Sequence, residues 1–309
     1  MADLKILITG ASSKTAEALI KLFKYETGHK LILLSSRINK LKQYEGYDYH
    51  RVNSLSFKDI KTLCYDMKPD IIINTAGFTD VDKCEDDRKT AWDLNVTLVE
   101  YLASISRVID SHLITFSSDY VFDGNRGPYI EEDRPNPINF YGKTKHAMEN
   151  ACLSNLNKIT VVRTNSIYGY SSTGKVDFIR WVLYKLEQGY GVNIVTSQYC
   201  NPTYVEDIAV AVNKIITKKR TGVYHIGGTD WLNRYDIALK TARVFGYDET
   251  LIKPVAVAEL NQTAKRPVKG GLVTLKAETD LGIKLTSLES GLMALRHQLR
   301  DNKFSFVVK

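Results

Sequence analysis

Leu4-Lys-Ile-Leu-Ile-Thr9-Gly10-Ala-Ser-Ser-Lys14-Thr-Ala16-Glu-Ala-Leu-Ile20-Lys-Leu-Phe-Lys-Tyr25 opens on a short apolar run, breaks at a glycine, and resumes with apolar residues at 16, 18, 19, 22 and 23. A short apolar run suits a buried strand, and the later spacing lines one face of a helix, so the stretch reads as strand, tight turn, helix. A turn of this kind leaves free backbone N–H groups and the positive end of a helix dipole facing one spot. That spot is an anion site.

The same alternation continues outward. Lys30 to Ser35 reads as a second strand behind a turn at Gly28, Ile60 to Met67 as helix, Asp70 to Asn74 as a buried strand, and Arg88 to Arg107 as one long helix. His112 to Phe116 is a strand, a helix starts near Asn139, Ile159 to Arg163 is a strand, and Lys175 to Gln188 is a helix. Asn201 to Asp207 reads as a loop capping a helix that runs to Ile216, and Val223 to Ile226 as a strand. Repeated strand and helix predict an α/β fold, a Rossmann-type doubly wound parallel sheet. The shorter elements that follow predict a smaller C-terminal substrate-binding region packed on it. The expected division is 1–165 and 166–309, with the two parts interleaved.

A chain of 309 residues can bury a large core and favours two regions over one. Hydrophobic and charged contents of 44% and 25% are those of a globular protein, and no apolar run approaches the roughly 18 residues that span a bilayer. The N-terminus enters a strand without the pattern of a signal peptide, so a cytoplasmic protein is expected, with no membrane partner. Cys64, Cys84, Cys152 and Cys200 are widely spaced, with no metal-ligand pattern, which predicts reduced, mostly buried thiols and no metal site. The formal charge of +7 is dispersed. Its densest cluster, Lys218-Lys219-Arg220 before Gly222, reads as a helix end rather than a nucleic-acid surface.

The turn itself departs from the pattern of a dinucleotide site. Gly10 is present and Ala16 can stand at the helix-packing position, but Ser13 carries a Cβ where backbone should approach a pyrophosphate. Gly10, Ser12, Ser13, Lys14 and Ala16 are the candidate cofactor-binding residues of the turn. The second strand ends Ser35-Ser36-Arg37, with an arginine and no carboxylate where an acidic residue would bond a ribose hydroxyl. Arg37, helped by Lys14, predicts NADP(H) as the preferred cofactor, with NAD(H) allowed.

A second stretch carries chemistry: Ser117-Ser118-Asp119-Tyr120-Val-Phe-Asp-Gly124, a proline-rich loop, and Tyr141-Gly-Lys-Thr-Lys145. Tyr141 and Lys145 are four apart and share a helix face. An ammonium beside a phenol favours the phenolate and is expected to lower the tyrosine's pKa from its ordinary value of roughly 10. Ser118 stands at the end of a strand, where its hydroxyl can meet the same oxygen. The three read as an acid/base site for carbonyl–alcohol interconversion.

With these motifs in hand, the chain resembles the extended short-chain dehydrogenase/reductases, and within them the dTDP-4-dehydrorhamnose reductase family. Ile73-Asn-Thr-Ala-Gly-Phe-Thr-Asp-Val-Asp82, Ser117 to Gly124, Pro135 to Lys145, Arg163-Thr-Asn-Ser-Ile-Tyr-Gly169 and Asn201 to Asp207 are similar to family segments in the expected order. The resemblance implies Tyr141 as the acid that protonates a keto oxygen, Lys145 as ribose ligand, and Ser118 as helper. It implies Thr75, Ala76, Gly77, Tyr168 and Asn53 along the cofactor. On the substrate side it implies Thr79, Val81, Asp119 and Tyr120 around the sugar, with Arg266 closing on a nucleotide diphosphate. A nucleotide-sugar substrate follows from the same resemblance; a homodimer is allowed, but the sequence gives no oligomeric state. Ser166 stands where the family often has tryptophan, and Lys265 to Gly271 keeps only the Arg-Pro of its motif, so the sugar pocket is altered. Two alternatives remain at this stage. One is a nucleotide-sugar epimerase, and the other is an NADP-binding regulatory subunit resembling the methionine adenosyltransferase β subunit.

Overall fold

A computed structural model of the chain describes residues 3–36, 46–53, 56–154, 158–172, 176–259 and 262–301. Its first strand, β1 (Lys5–Thr9), explains why the opening run is apolar throughout. Ile6 and Ile8 point into one layer of the core and Leu7 into the other, and all three are fully buried. Both faces of a central parallel strand are covered, so the polar alternation of a half-exposed strand is absent.

The chain then builds α1 (Lys14–Glu26), β2 (Lys30–Ser35), β3 (Asp48–Arg51), α2 (Phe57–Met67) and β4 (Ile71–Asn74). Next come α3 (Val81–Asp86), α4 (Arg88–Trp92), α5 (Leu98–Val108), β5 (His112–Ser118), α6 (Phe140–Leu153) and β6 (Ile159–Thr164). The second half holds short β7 (Ile167–Tyr168), α7 (Phe178–Glu187), β8 (Val192–Val195), β9 (Tyr199–Cys200), β10 (Thr203–Tyr204), α8 (Val205–Thr217) and β11 (Gly222–Ile226). It closes with β12 (Leu232–Asn233), α9 (Arg234–Phe245), β13 (Ile252–Val255), α10 (Leu275–Leu281) and α11 (Leu288–Asp301).

Seven strands form one parallel sheet in the order β11-β6-β5-β4-β1-β2-β3. The order reverses at β1, which pairs with β2 on one side and β4 on the other. Such a reversal opens a crevice at the carboxyl ends of the strands, where ligands of doubly wound sheets bind. Helices α1, α8 and α10 cover one face, and α2, α5 and α6 cover the other. A second core joins α7, α9, α11, β8 and β13.

The long helix expected over Arg88 to Arg107 is interrupted. A π turn over Asp93–Thr97 separates α4 from α5. Asn95 in that turn is buried and exchanges two hydrogen bonds with the Phe78 backbone, at 2.8 and 3.0 Å, while its amide also donates to Thr144 Oγ1 at 3.0 Å. One extra residue in the helix places this side chain against the loop after β4, as π turns near functional loops often do. Helix α7 starts at Phe178 behind an Asp177 cap, and its expected start at Lys175 lies outside the described residues. Among the described residues no helix is long and apolar enough to cross a membrane.

Candidate active site

Helix α6 begins at a strong local signal. Asn139 caps it, its side chain accepting from Gly142 N at 2.8 Å and donating to Lys265 O at 2.7 Å. Gly142 is required here, because a Cβ would lie 2.1 Å from Tyr120 O. The helix can therefore lie against the segment after β5. Tyr141 and Lys145 come to the same face, with Lys145 Nζ 5.9 Å from the Tyr141 ring centre and donating to Phe116 O at 3.0 Å.

Ser118 ends β5 and meets them. It bonds the Tyr141 phenol, donates to Asp119 Oδ1 at 3.1 Å, and accepts from Tyr120 N at 3.2 Å. The three predicted residues thus stand together, and all are buried.

The electrostatics differ from the expectation for the tyrosine. Burial pushes the Tyr141 phenol above its ordinary value, the Ser118 bond only partly offsets this, and Asp119 and Cys84 push it further. Lys145 is itself pushed down to about 8 by burial. Taking both groups out of water penalises the charged form of each, and this outweighs the ammonium's help to the phenolate.

Asp119, expected at the sugar, lies behind Ser118 instead. Its Oδ2 accepts from Asn165 Nδ2 at 2.9 Å and Gly271 N at 3.2 Å, and burial holds its carboxyl above the usual range. Asn165 accepts in turn from Thr203 Oγ1 at 3.3 Å. Neither Asn165 nor Asn95 was singled out in the sequence, because each is recruited by residues far along the chain.

The turn after β1 is built as the strand–turn–helix reading requires. Gly10 has φ +67°, and a Cβ there would stand 2.6 Å from Ala76 N. The turn can therefore press against Thr75, Ala76 and Gly77, all half-buried at the carboxyl end of β4. Ser13 caps α1, accepting from Ala16 N at 3.1 Å and donating to Thr75 Oγ1 at 2.8 Å. Ser12 lies 3.3 Å from the Ser35 hydroxyl, which donates to it. Ala16 is fully buried beneath the turn. A hollow lined by Thr9, Gly10, Leu34, Ser35, Val52, Ile60 and Leu98 opens beside it, and exposed Asn53 follows Val52. Close backbone approach, a helix N-terminus and an apolar hollow together fit a dinucleotide.

Two residues expected along the cofactor point elsewhere. Lys14 is buried and paired with Asp177, the cap of α7, and burial lowers it to about 7. Its charge is therefore committed to the chain rather than offered to a phosphate. Tyr168 lies in the second core, packed on Tyr204 at 5.7 Å and so close to Gly291 that a Cβ there would clash with its hydroxyl. The apolar body of this tyrosine is what the second core buries. Arg37 lies outside the described residues.

On the substrate side, Thr79 is exposed in the loop after β4 and Val81 is half-buried as the first residue of α3. Tyr120 packs edge-on against Tyr141 at 5.7 Å. Arg266 forms a two-pronged pair with Asp82, at 2.5 and 2.6 Å, and lines a cleft of about 520 Å³ with Asp123, Asn136, Gln262 and Lys265.

The family model described as the RmlD substrate binding domain matches residues 4–300. Among solved structures, dTDP-4-dehydrorhamnose reductase from Bacillus anthracis in complex with NADP superimposes with a TM-score of 0.86 at 25% identity, covering 96% of this chain and 100% of that one. A probable low-salt glycan biosynthesis reductase of Haloferax volcanii is 28% identical over 95% of this chain and 98% of its own length. The methionine adenosyltransferase 2 subunit beta of Bos taurus is 30% identical over 90% of this chain and 83% of its own. With the family model spanning nearly the full length, the chain belongs to the RmlD family, the dTDP-4-dehydrorhamnose reductase group of the extended short-chain dehydrogenase/reductases.

Proposed function

We propose that this chain reduces the keto group of a nucleotide-linked 4-keto-6-deoxy sugar with NADPH. The family is one of NAD(P)-dependent oxidoreductases, and the observation that carries the proposal is the buried contact of Tyr141 with Ser118, with Lys145 one helical turn away on the same face. When bound, the reduced nicotinamide supplies a hydride. Tyr141 holds the proton that the keto oxygen receives, and a phenol kept neutral by burial is loaded for donation. Ser118 orients that phenol, and Asp119 orients Ser118 by accepting its proton. Lys145 holds an ammonium beside the phenol and is placed to bond the ribose. Gly10, Ser12, Ser13, Ala16, Thr75, Ala76, Gly77 and Asn53 would hold the cofactor, while Thr79, Val81, Tyr120 and Arg266 would shape the sugar side. The preference for NADPH rests on Arg37 and the missing carboxylate after β2.

Mixing the protein with NADPH and a panel of nucleotide-linked 4-keto sugars, and following the absorbance of the reduced cofactor, tests this reading. Steady consumption is expected, and Tyr141→Phe should cut it by roughly 10²–10⁴-fold while leaving NADPH affinity intact. Near-normal turnover by that variant would refute the mechanism. The similarity to a methionine adenosyltransferase subunit favours one second reading, an NADP-dependent binding partner without turnover. It takes over if no keto sugar is consumed and a partner protein binds only with NADP present.

A further inference from the structure

Arg163-Thr-Asn-Ser-Ile-Tyr-Gly169 and Asn201-Pro-Thr-Tyr-Val-Glu-Asp207 are far apart in the chain and meet side by side, because β7 and β10 pair in parallel, with Thr203 opposite Ile167 and Tyr204 opposite Tyr168. The pairing places Asn165, just ahead of β7, beside Thr203. The Thr203 hydroxyl lies 3.3 Å from Asn165 Oδ1 and 3.0 Å from Asn201 O. Asn165, Asn201 and Thr203 are all more than nine-tenths buried. A buried amide without partners is costly, so both asparagines are expected to be engaged.

The two amides serve one carboxylate from different sides. Asn165 Nδ2 donates to Asp119 Oδ2 at 2.9 Å, the same oxygen accepts from Gly271 N at 3.2 Å, and Asp119 Oδ1 accepts from the Ser118 hydroxyl at 3.1 Å. Asn201 holds the segment that brings Gly271. Its Oδ1 accepts from Leu272 N at 2.7 Å and its Nδ2 donates to Gly228 O at 3.1 Å, while Trp231 Nε1 donates to Gly270 O at 2.8 Å. A carboxylate can turn about its Cβ–Cγ bond, and two donors on one oxygen fix that angle. The other oxygen is then aimed at Ser118, which meets Tyr141.

We infer that Asn165 is a positioning residue: by holding Asp119 Oδ2 it aims Oδ1 at the Ser118 hydroxyl, and so sets the phenol of Tyr141 for proton transfer. The inference rests on the proposed keto-sugar reading. Burial raises the Asp119 carboxyl, and the Asn165 bond is the largest influence opposing this, ahead of Gly271, Ser118 and the charge of Arg234 on α9. The other titratable groups that interact with Asp119 are Tyr120, Tyr141 on α6 and Cys200 on β9, all raised by burial and so neutral where a carboxylate titrates. Without Asn165 the carboxyl takes up its proton at higher pH and no longer accepts from Ser118.

Carbon-13 NMR of the full chain labelled at its aspartate carboxyls reads Asp119 without requiring turnover, its signal being the one that Asp119→Asn removes. Asn165→Leu keeps the size, removes both bonds, and should raise the Asp119 titration by about one to two pH units, the worth of a hydrogen bond to a charged group. Asn165→Asp keeps the acceptor for Thr203 and should raise it too, since two carboxyls in contact do not both ionise readily; it stands in should the leucine variant fail to fold. In the keto-sugar assay both variants should lose about 10–100-fold in kcat, with NADPH affinity within about twofold, which also reports an intact fold. For Asn165→Leu the loss should shrink as the pH rises from about 6 to about 8, which a purely structural defect would not do. An Asp119 titration unmoved in both variants overturns the inference, as does normal kcat in Asn165→Leu or a loss equal at every pH. If the titration moves but the unmodified protein reduces no keto sugar, the hold of Asn165 on Asp119 stands while the proposed reaction falls.

Discussion

Tyr141 and Lys145 were legible because four-residue spacing on a helix is a local rule, and Ser118 because an apolar run ends beside it. The place of Asp119 was not legible. Its partners Asn165 and Gly271 lie 46 and 152 residues away, and only the fold brings them together. The same holds for the charge states. Lys145 is lowered to about 8 because burial penalises the ammonium, so its protonated form is lost as the pH rises through about 8 rather than through 10.5. If the ammonium assists the phenol, kcat/KM for keto-sugar reduction should fall above about pH 8, since this parameter reports groups of the free enzyme. Lys145→Met should remove that limb from the pH–rate profile. A limb near pH 10 in the unmodified protein would show that the lysine is not desolvated in solution.

At the scale of elements, β1, α1, β2, β4, β5 and β6 were readable from periodicity, and the parallel sheet followed. The π turn was not, since nothing in the apolar spacing from Arg88 onward marks where Asn95 must turn aside to bond Phe78. The smaller elements from β7 onward were also largely hidden, because two-residue strands such as β9 and β12 have no period to detect. The turn before α1 shows how a degenerate motif can keep its geometry. Ser13 uses its hydroxyl to cap the helix and to tie it to Thr75. Ser13→Ala should therefore cost about 1 kcal/mol of stability, and Ser13→Gly only a few tenths, as caps usually do. Urea midpoints of the two variants check this, and an unchanged midpoint for Ser13→Ala would refute the capping role. Cofactor affinity, measured alongside, should not weaken in Ser13→Gly, because glycine lets the backbone come closer.

The whole molecule carries two histidines buried neutral. His225 accepts from Arg163 Nη1 at 3.2 Å, so its other nitrogen donates to Tyr129 O at 3.1 Å. His112 Nε2 donates to Thr160 Oγ1 at 2.8 Å, since that hydroxyl spends its proton on Arg220 O. Burial lowers His225 to about 3 and His112 to about 4. The unfolded chain takes up protons near pH 6.5 that the folded chain refuses, so this contribution is full above about 6.5 and drains away as the pH falls toward those lower values. Buried acids such as Asp119, Glu131, Glu206 and Asp207 are raised and pull the other way. The measurement is therefore the slope of the urea midpoint against pH, which His112→Gln and His225→Gln should each make less steep below about pH 6.5. Equal slopes in the variants and the unmodified protein would refute it. The layer that covers Ile6, Ile8 and Leu19 is completed by α8 and α10 and by Leu285. On the ribosome, at roughly 5–20 residues per second, those first residues wait on the order of tens of seconds for their cover. A nascent chain stalled before α8 leaves the apolar layer over its first strand incomplete, which makes such a truncated product a client for chaperones rather than a smaller working enzyme.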